Sequence, residues 1–337
     1  MSDFNKLPKV DIHVHLEGTI TPALVRKLAA KNGIEIPAGL FDDSGENFHW
    51  PDDGTAMSAL RGFVQAYDDA TSVMRGADDY IELTYDYLTR SAAEGCIYAE
   101  IGISVDHGKM VGLEYPELMV ALTTAYERAK ADTGIEARFI STCVRHYGAE
   151  AAIRVAEITR DNPHPLVTAF GMAGDENAGS VADFKAAYDI AALPYRNAHA
   201  GEAAGPESVR SARDLLNIRR FGHMVRTIED ALLVDEQLKI NAVPEVCVSS
   251  NLCLKVYPDY ASHPLRKFFD AGMKVTLGSD DPTFFGTSIG REYEIARDHF
   301  GFTVPELLQV SRNAVEEAFV DAETRTRLLQ RIDAYAA

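Results

Sequence analysis

Cysteine is scarce in this chain. The 337 residues hold four, Cys96, Cys143, Cys247 and Cys253, and no two stand as a C-x-x-C pair. That excludes a disulfide framework and leads us to expect a reducing, cytoplasmic setting. Cys96, Cys143 and Cys247 fall in apolar runs, where a thiol acts as a small hydrophobe, and Cys253 receives no role. Basic charge is also short. Against 51 Asp and Glu stand 33 Lys and Arg, a net charge of −18, which argues against nucleic acid and against an anionic membrane surface as partners. No apolar run approaches the length of a membrane span, and the first residues, Met-Ser-Asp-Phe-Asn-Lys-Leu-Pro-Lys, lack the apolar core of a signal peptide. Repeats, low-complexity tracts and long linkers are absent, so a single domain over residues 1–337 is expected.

What is present is apolar residue in quantity, 46% of the chain, enough for a large core. Its pattern is regular. Residues 10–16, Val-Asp-Ile-His-Val-His-Leu, alternate as a strand does, with Ile12, Val14 and Leu16 on one face and Asp11, His13 and His15 on the other. Thr21 and Pro22 then open a helix that Gly33 closes. From residue 96 onward strand-like runs alternate with helical ones: 96–103, 138–144, 166–171, 195–199, 220–223, 244–247 and 274–278, with a helical region at 304–335. Counting 10–16, that makes eight strands. The alternation predicts an α/β fold with parallel strands, and eight is the number that closes a TIM barrel. An open doubly wound sheet would place a Gly-rich phosphate turn after the first strand. Here that place reads His-Val-His-Leu-Glu-Gly-Thr. Residues 37–55 are rich in turn and acidic residues yet carry Phe41, Phe48 and the single tryptophan, Trp50. They read either as a surface loop or, with helix up to residue 75, as a lid insertion with an aromatic lip.

Catalytic groups of a barrel sit where its strands end at the C-terminal face. His13, His15, His199, His223 and Asp280 all fall at such ends. His13 and His15 are two apart on a strand and point the same way. With His199 and Asp280 they make three imidazoles and a carboxylate, a ligand set suited to Zn²⁺ or another divalent transition ion, with a position left for water. Glu202, one turn beyond His199, is placed to act as general acid and base, and His223 to steer or deprotonate the water. Of the adjacent carboxylates Asp280 and Asp281, one can ligate the metal while the other faces the substrate.

Six segments taken together, 8–19 (Pro-Lys-Val-Asp-Ile-His-Val-His-Leu-Glu-Gly-Thr), 173–176 (Ala-Gly-Asp-Glu), 199–203 (His-Ala-Gly-Glu-Ala), 221–223 (Phe-Gly-His), 249–251 (Ser-Ser-Asn) and 279–282 (Ser-Asp-Asp-Pro), resemble the adenosine deaminase family of the amidohydrolase superfamily. The resemblance implies a (β/α)8 barrel with a lid at 37–75 and a C-terminal helical region. It implies zinc-dependent hydrolytic deamination of a 6-aminopurine, with adenosine the first substrate expected and adenine or a modified aminopurine the alternatives. His13, His15, His199 and Asp280 would hold one Zn²⁺. Glu202 would pass a proton to purine N1, and His223, helped by Asp280, would orient and activate the attacking water. Asp281 would bond N7 and the Gly174 amide N3, with His15 and Glu17 completing the substrate contacts. Three positions depart from the family pattern. Met224 follows His223 where glycine is usual, and Val248 follows Cys247 where Pro is usual. Glu17 stands where members acting on adenosine often have Asp, and is similar to members acting on free adenine. Two-metal amidohydrolases would need a lysine in the fourth strand, and residues 166–172 have none. The zinc cytidine deaminases join an H-x-E to a P-C-x-x-C signature, and no P-C-x-x-C is found here. A barrel that binds a purine without turning it over is the remaining, non-enzymatic expectation.

Overall fold

The computed structural model describes residues 4–336. Its strands are β1 (Lys9–His15), β2 (Cys96–Ser104), β3 (Glu136–Val144), β4 (Val167–Ala173), β5 (Tyr195–Arg196), β6 (Ala198–Ala200), β7 (Arg220–His223), β8 (Val243–Val246) and β9 (Thr276–Leu277). Every pairing is parallel, in two sheets ordered β1-β2-β3-β4-β5 and β6-β7-β8-β9. The expected fifth strand is thus split in two at Asn197, whose N–H still donates to Phe170 at 3.2 Å while Ala198, His199 and Ala200 pair with β7. The other seam lies between β1 and the residues after β9. There a lone bridge joins Val14 to Asp280, and two backbone bonds cross, Asp280 N–H to His13 and His15 N–H to Asp280, both 2.9 Å. Asp11 strengthens this seam from inside β1, accepting from the Ser279 N–H at 3.2 Å and hydroxyl at 2.5 Å, and from Tyr87 at 3.1 Å. The two sheets therefore meet as a parallel α/β barrel, its seams held by a few bonds rather than a continuous ladder.

Strand alternation explains how the first strand is used. Val10 and Ile12 pack outward against Ala314, Val315, Leu328 and Ile332 of the C-terminal helices Val304–Glu317 and Ala322–Ala336. Asp11, His13 and His15, one residue out of phase, are left for the interior. The next helix, Pro22–Asn32, is bounded as its sequence predicts: the Thr21 hydroxyl accepts from Leu24 N–H at 3.1 Å, and Gly33 ends it at φ +66°. Unlike the expected pattern, a helix also covers Ile289–Phe300. Its buried face mixes Ile289, Ile295 and Ala296 with Glu292 and Tyr293, so apolar periodicity does not reveal it.

Residues 37–55 contain little regular structure beyond a bridge between Phe41 and Phe48. They lead into the helix Ala56–Thr71, capped by Thr55. Phe48 stacks on Phe284 with centroids 4.1 Å apart, and Phe63 packs at 4.9 Å from Phe285. An Asp52–Lys255 ion pair joins this segment to the turn after the short helix Val248–Cys253. Leu60, Phe63, Val64, Tyr67 and Asp68 of the helix wall the cavity described next.

Candidate active site

One cavity collects nearly all the residues singled out in the sequence. His15 ends β1, Glu17 follows in a 3-10 turn, Gly174 follows β4, His199 sits on β6, Glu202 in the turn beyond, His223 ends β7, and Asp280 and Asp281 follow β9; all eight line it. His13 lies alongside, in a smaller adjoining cavity that His15 and His199 share. Glycine makes the close approach possible at two points. A Cβ on Gly222 would come within 2.7 Å of the His13 ring, and Gly201 turns the chain at φ +72° just before Glu202.

The donor atoms of His13, His15, His199 and Asp280 all lie within 4.8 Å of one another. Asp280 Oδ1 is 3.4 Å from His13 Nε2 and 3.2 Å from His15 Nε2, and His15 Nε2 is 3.2 Å from His199 Nε2. Bonds of about 2.0–2.1 Å to one tetrahedral ion would set its ligand atoms roughly 3.3–3.4 Å apart. The hydrogen bonds fix where the protons are. His199 Nδ1 is 2.9 Å from the Met172 carbonyl, which can only accept, so its Nε2 carries a lone pair. His13 Nδ1 donates to Glu245 at 2.6 Å, and its buried Nε2 has no hydrogen-bond partner. With the imidazoles neutral, lone pairs and a carboxylate would point at one spot, a repulsive arrangement unless a cation, a proton or a metal ion, sits there. Burial acts against a proton on His13, yet the Asp280 and Glu245 carboxylates lift it to about 10; a divalent ion satisfies the same field. The donor set fits a metal, with the carboxylate–imidazole support typical of metal histidines.

Two acids around this corner, Glu202 and Asp281, are held neutral. Burial pushes Glu202 well above the usual carboxyl range, and the charges of Asp280 and Glu176 add to it. Burial, then Asp280, does the same to Asp281, whose Oδ1 has no hydrogen-bond partner. Burial lowers His223 to about 3, so it is a neutral imidazole, with Nε2 3.5 Å from Glu202 and 3.9 Å from Asp280 Oδ2. Asp280 goes the other way: despite burial, hydrogen bonds from His13 and His15 hold it well below the usual carboxyl range. A neutral acid can donate a proton, and raised carboxyls beside a lowered one are the pattern of acid and base sharing one site.

Several residues here received no role from the sequence. Glu176 belongs to a quoted segment, yet only Gly174 was used. Its buried carboxylate accepts from the N–H groups of Gly201 (2.5 Å), Glu202 (2.9 Å) and Ala204 (2.8 Å) and from the Ser208 hydroxyl, which ties down the turn bearing Glu202. Glu17 is held by Tyr80 at 3.0 Å and Tyr67 at 3.3 Å, two phenols with no local signal. On the β2 side of the cavity His107 bridges Ser104 (2.7 Å) and Asp68 (3.3 Å). Of the two cysteines after β8, Cys247, not Cys253, has its sulfur within 4.8 Å of His223 and Asp280 ligand atoms, and burial keeps it a thiol.

Comparison with known proteins agrees with this geometry. The adenosine deaminase family model matches residues 8–335. An adenine deaminase of Agrobacterium fabrum is 46% identical over 332 residues, covering 97% of this chain and 98% of that protein. One of Rhizobium etli is 44% identical, covering 97% and 99%. Among solved structures, the adenine deaminase of Arthrobacter aurescens superposes with a TM-score of 0.89 at 27% identity, covering 98% of this chain and 99% of that one. A Burkholderia ambifaria amidohydrolase crystallised with bound Zn gives a TM-score of 0.85 at 25% identity, covering 99% and 92%. With a match running from the first strand to the last helix and a converging metal-ligand set at the barrel mouth, this chain belongs to the adenosine deaminase family, as a hydrolytic purine deaminase of the metal-dependent amidohydrolase type.

Proposed function

We propose that the enzyme hydrolyses free adenine to hypoxanthine and ammonia. The sequence put adenosine first; the seating of Glu17 supports the reverse order. Its carboxylate is 1% exposed and held by Tyr67 and Tyr80, so it does not swing away to make room for a sugar. The relatives at 42–46% identity are named adenine deaminase, which supports the same choice. In this reading the whole chain works as one unit, with residues 37–75 as its lid.

His13, His15, His199 and Asp280 would hold one divalent ion, Zn²⁺ in this reading, which when bound supplies the Lewis acidity that makes water nucleophilic at neutral pH. The rest falls to the chain. Asp281 and the Gly174 amide orient the base through N7 and N3. Glu202, protonated at the start, gives its proton to N1, which makes C6 electrophilic. Asp280 Oδ2 takes one proton from the water as its oxygen bonds to C6. That proton then passes to the 6-amino group, the C6–N bond breaks and ammonia leaves. The remaining hydroxyl proton returns to Glu202, giving the C6 carbonyl and restoring the acid. Holding Glu202 neutral by burial is what makes the first transfer possible.

Ammonia release measured in parallel on adenine, adenosine and 2′-deoxyadenosine tests the proposal. We expect kcat/KM for adenine to exceed that for either nucleoside by on the order of 10²-fold or more, and Glu17→Asp to narrow the gap. A wild-type preference for adenosine would overturn it.

A further inference from the structure

A chain of hydrogen bonds runs from His223 away from the cavity and ends on a backbone amide. Leu265 N–H, at the start of the short helix Leu265–Asp270, faces His263 Nδ1 at 3.3 Å. His263 Nε2 is 3.1 Å from Asn251 Oδ1, and Asn251 Nδ2 is 3.2 Å from His223 Nδ1. His263, Asn251 and His223 are 3%, 0% and 0% exposed, so water does not interrupt the series. The far end sets the direction of every bond. A backbone N–H can only donate, so His263 Nδ1 accepts and its Nε2 bears the proton. That proton requires an acceptor, which orients the Asn251 amide with its oxygen toward His263. The amide nitrogen then donates to His223 Nδ1, which leaves Nε2 as the ring nitrogen that bears the proton. That atom is buried without a hydrogen-bond partner and faces the Glu202 and Asp280 carboxyls of the cavity.

We propose that His263 and Asn251 are positioning residues that lock His223 in the Nε2–H tautomer, so that His223 serves the reaction as a hydrogen-bond donor and not as the base. A lone pair at Nε2 could take the water's proton; an N–H there can only hold the water's oxygen and stabilise charge developing on it. Proton removal then falls to a carboxylate, as assigned above to Asp280. The use made of the N–H rests on the proposed deamination, whereas the tautomer itself does not. Tyr257 and Phe300 cage the His263 ring, with centroids at 5.1 and 5.7 Å, which keeps the start of the relay in place.

Histidine ¹⁵N NMR of the metal-loaded, substrate-free protein reads the tautomer directly. Expected for His223 is a pyrrole-type signal at Nε2 and a pyridine-type signal at Nδ1. The reverse pattern, or an even mixture, overturns the lock whatever the substrate proves to be. Asn251→Asp is the matched variant. A carboxylate can only accept, so it draws the His223 proton to Nδ1 and leaves a lone pair at Nε2. We expect the two signals to exchange character and kcat to fall at least about tenfold, the scale of one general acid–base contribution or less, with metal content and KM retained. Reversed signals with kcat unchanged or raised would show that His223 works as a base and overturn the donor role. His263→Leu removes the relay's start and should give mixed His223 tautomers; a single Nε2–H form in that variant would mean that His263 sets nothing. If adenine is not a substrate but the wild-type tautomer is as expected, the functional proposal fails and the lock stands.

Discussion

Two clusters of buried charge meet at Glu245, and they are built on opposite plans. On one side Arg220, 3% exposed, lies between Glu100 and Glu245, both fully buried. Its guanidinium is 2.6 Å from Glu100, pairs with Glu245, donates to the Glu317 carbonyl at 3.1 Å and sits 3.5 Å over the Phe319 ring. Glu100 also accepts from Tyr98 at 2.7 Å and from Phe319 N–H at 2.5 Å. On the other side Glu245 supports His13, and there carboxylates and imidazole lone pairs converge with no lysine or arginine among the residues lining the cavity. Where the chain supplies its own cation, buried charge serves the fold. Where it withholds one, the site is left able to take a cation from outside. A buried charge without a partner is costly, so the second plan suits a site that binds a metal.

Breaking the metal side should have the largest effect on activity. His199→Ala is expected to reduce bound metal from about one per chain to near zero, and turnover by roughly 10⁴-fold or more, as for members of a unit that fails together. Glu202→Gln is the contrast: metal retained, kcat reduced by about 10²–10⁴-fold. Elemental analysis with single-turnover rates separates the two, and stoichiometric metal in His199→Ala would remove it from the ligand set. The matched cluster should answer in stability instead. Arg220→Met leaves Glu100 and Glu245 without their cation and should cost about 3–5 kcal/mol of unfolding free energy. Denaturant melts of the metal-loaded protein check this; an unchanged midpoint would mean that the pair is not held as charges. The smallest effect is expected where the clusters join. Glu245→Gln weakens the support of His13, and metal affinity, measured by competition with a chelator, should drop about 10–100-fold. Wild-type affinity in that variant would show that the two clusters are independent.

Much of this was legible in the chain. A strand's period of two is a local property, so residues 10–16 placed Asp11, His13 and His15 inward, and the structure keeps them there. Caps such as Thr21 and Gly33, and the recurrence of apolar runs, likewise act over a few residues, which is why the strand and helix order was recovered and with it the barrel. The candidate ligands could be named because each stands at the end of such a run. The helix Ile289–Phe300 was not legible, because its inward face carries Glu292, which burial lifts to about 7 and which accepts from Val248 N–H at 3.0 Å. Polar groups satisfied by distant partners erase the periodicity that local reading depends on.

By itself, then, the sequence named the candidate site residues and the strand end near which each lies. Only the tertiary structure decided their states. Glu17 is immobilised by phenols 50 and 63 residues away, Glu176 grips the Glu202 turn from 26 residues back, and the proton on His223 follows from an amide at Leu265. Those outcomes depend on burial and on hydrogen-bond direction between segments remote along the chain, and neither is encoded in the neighbours of any one residue.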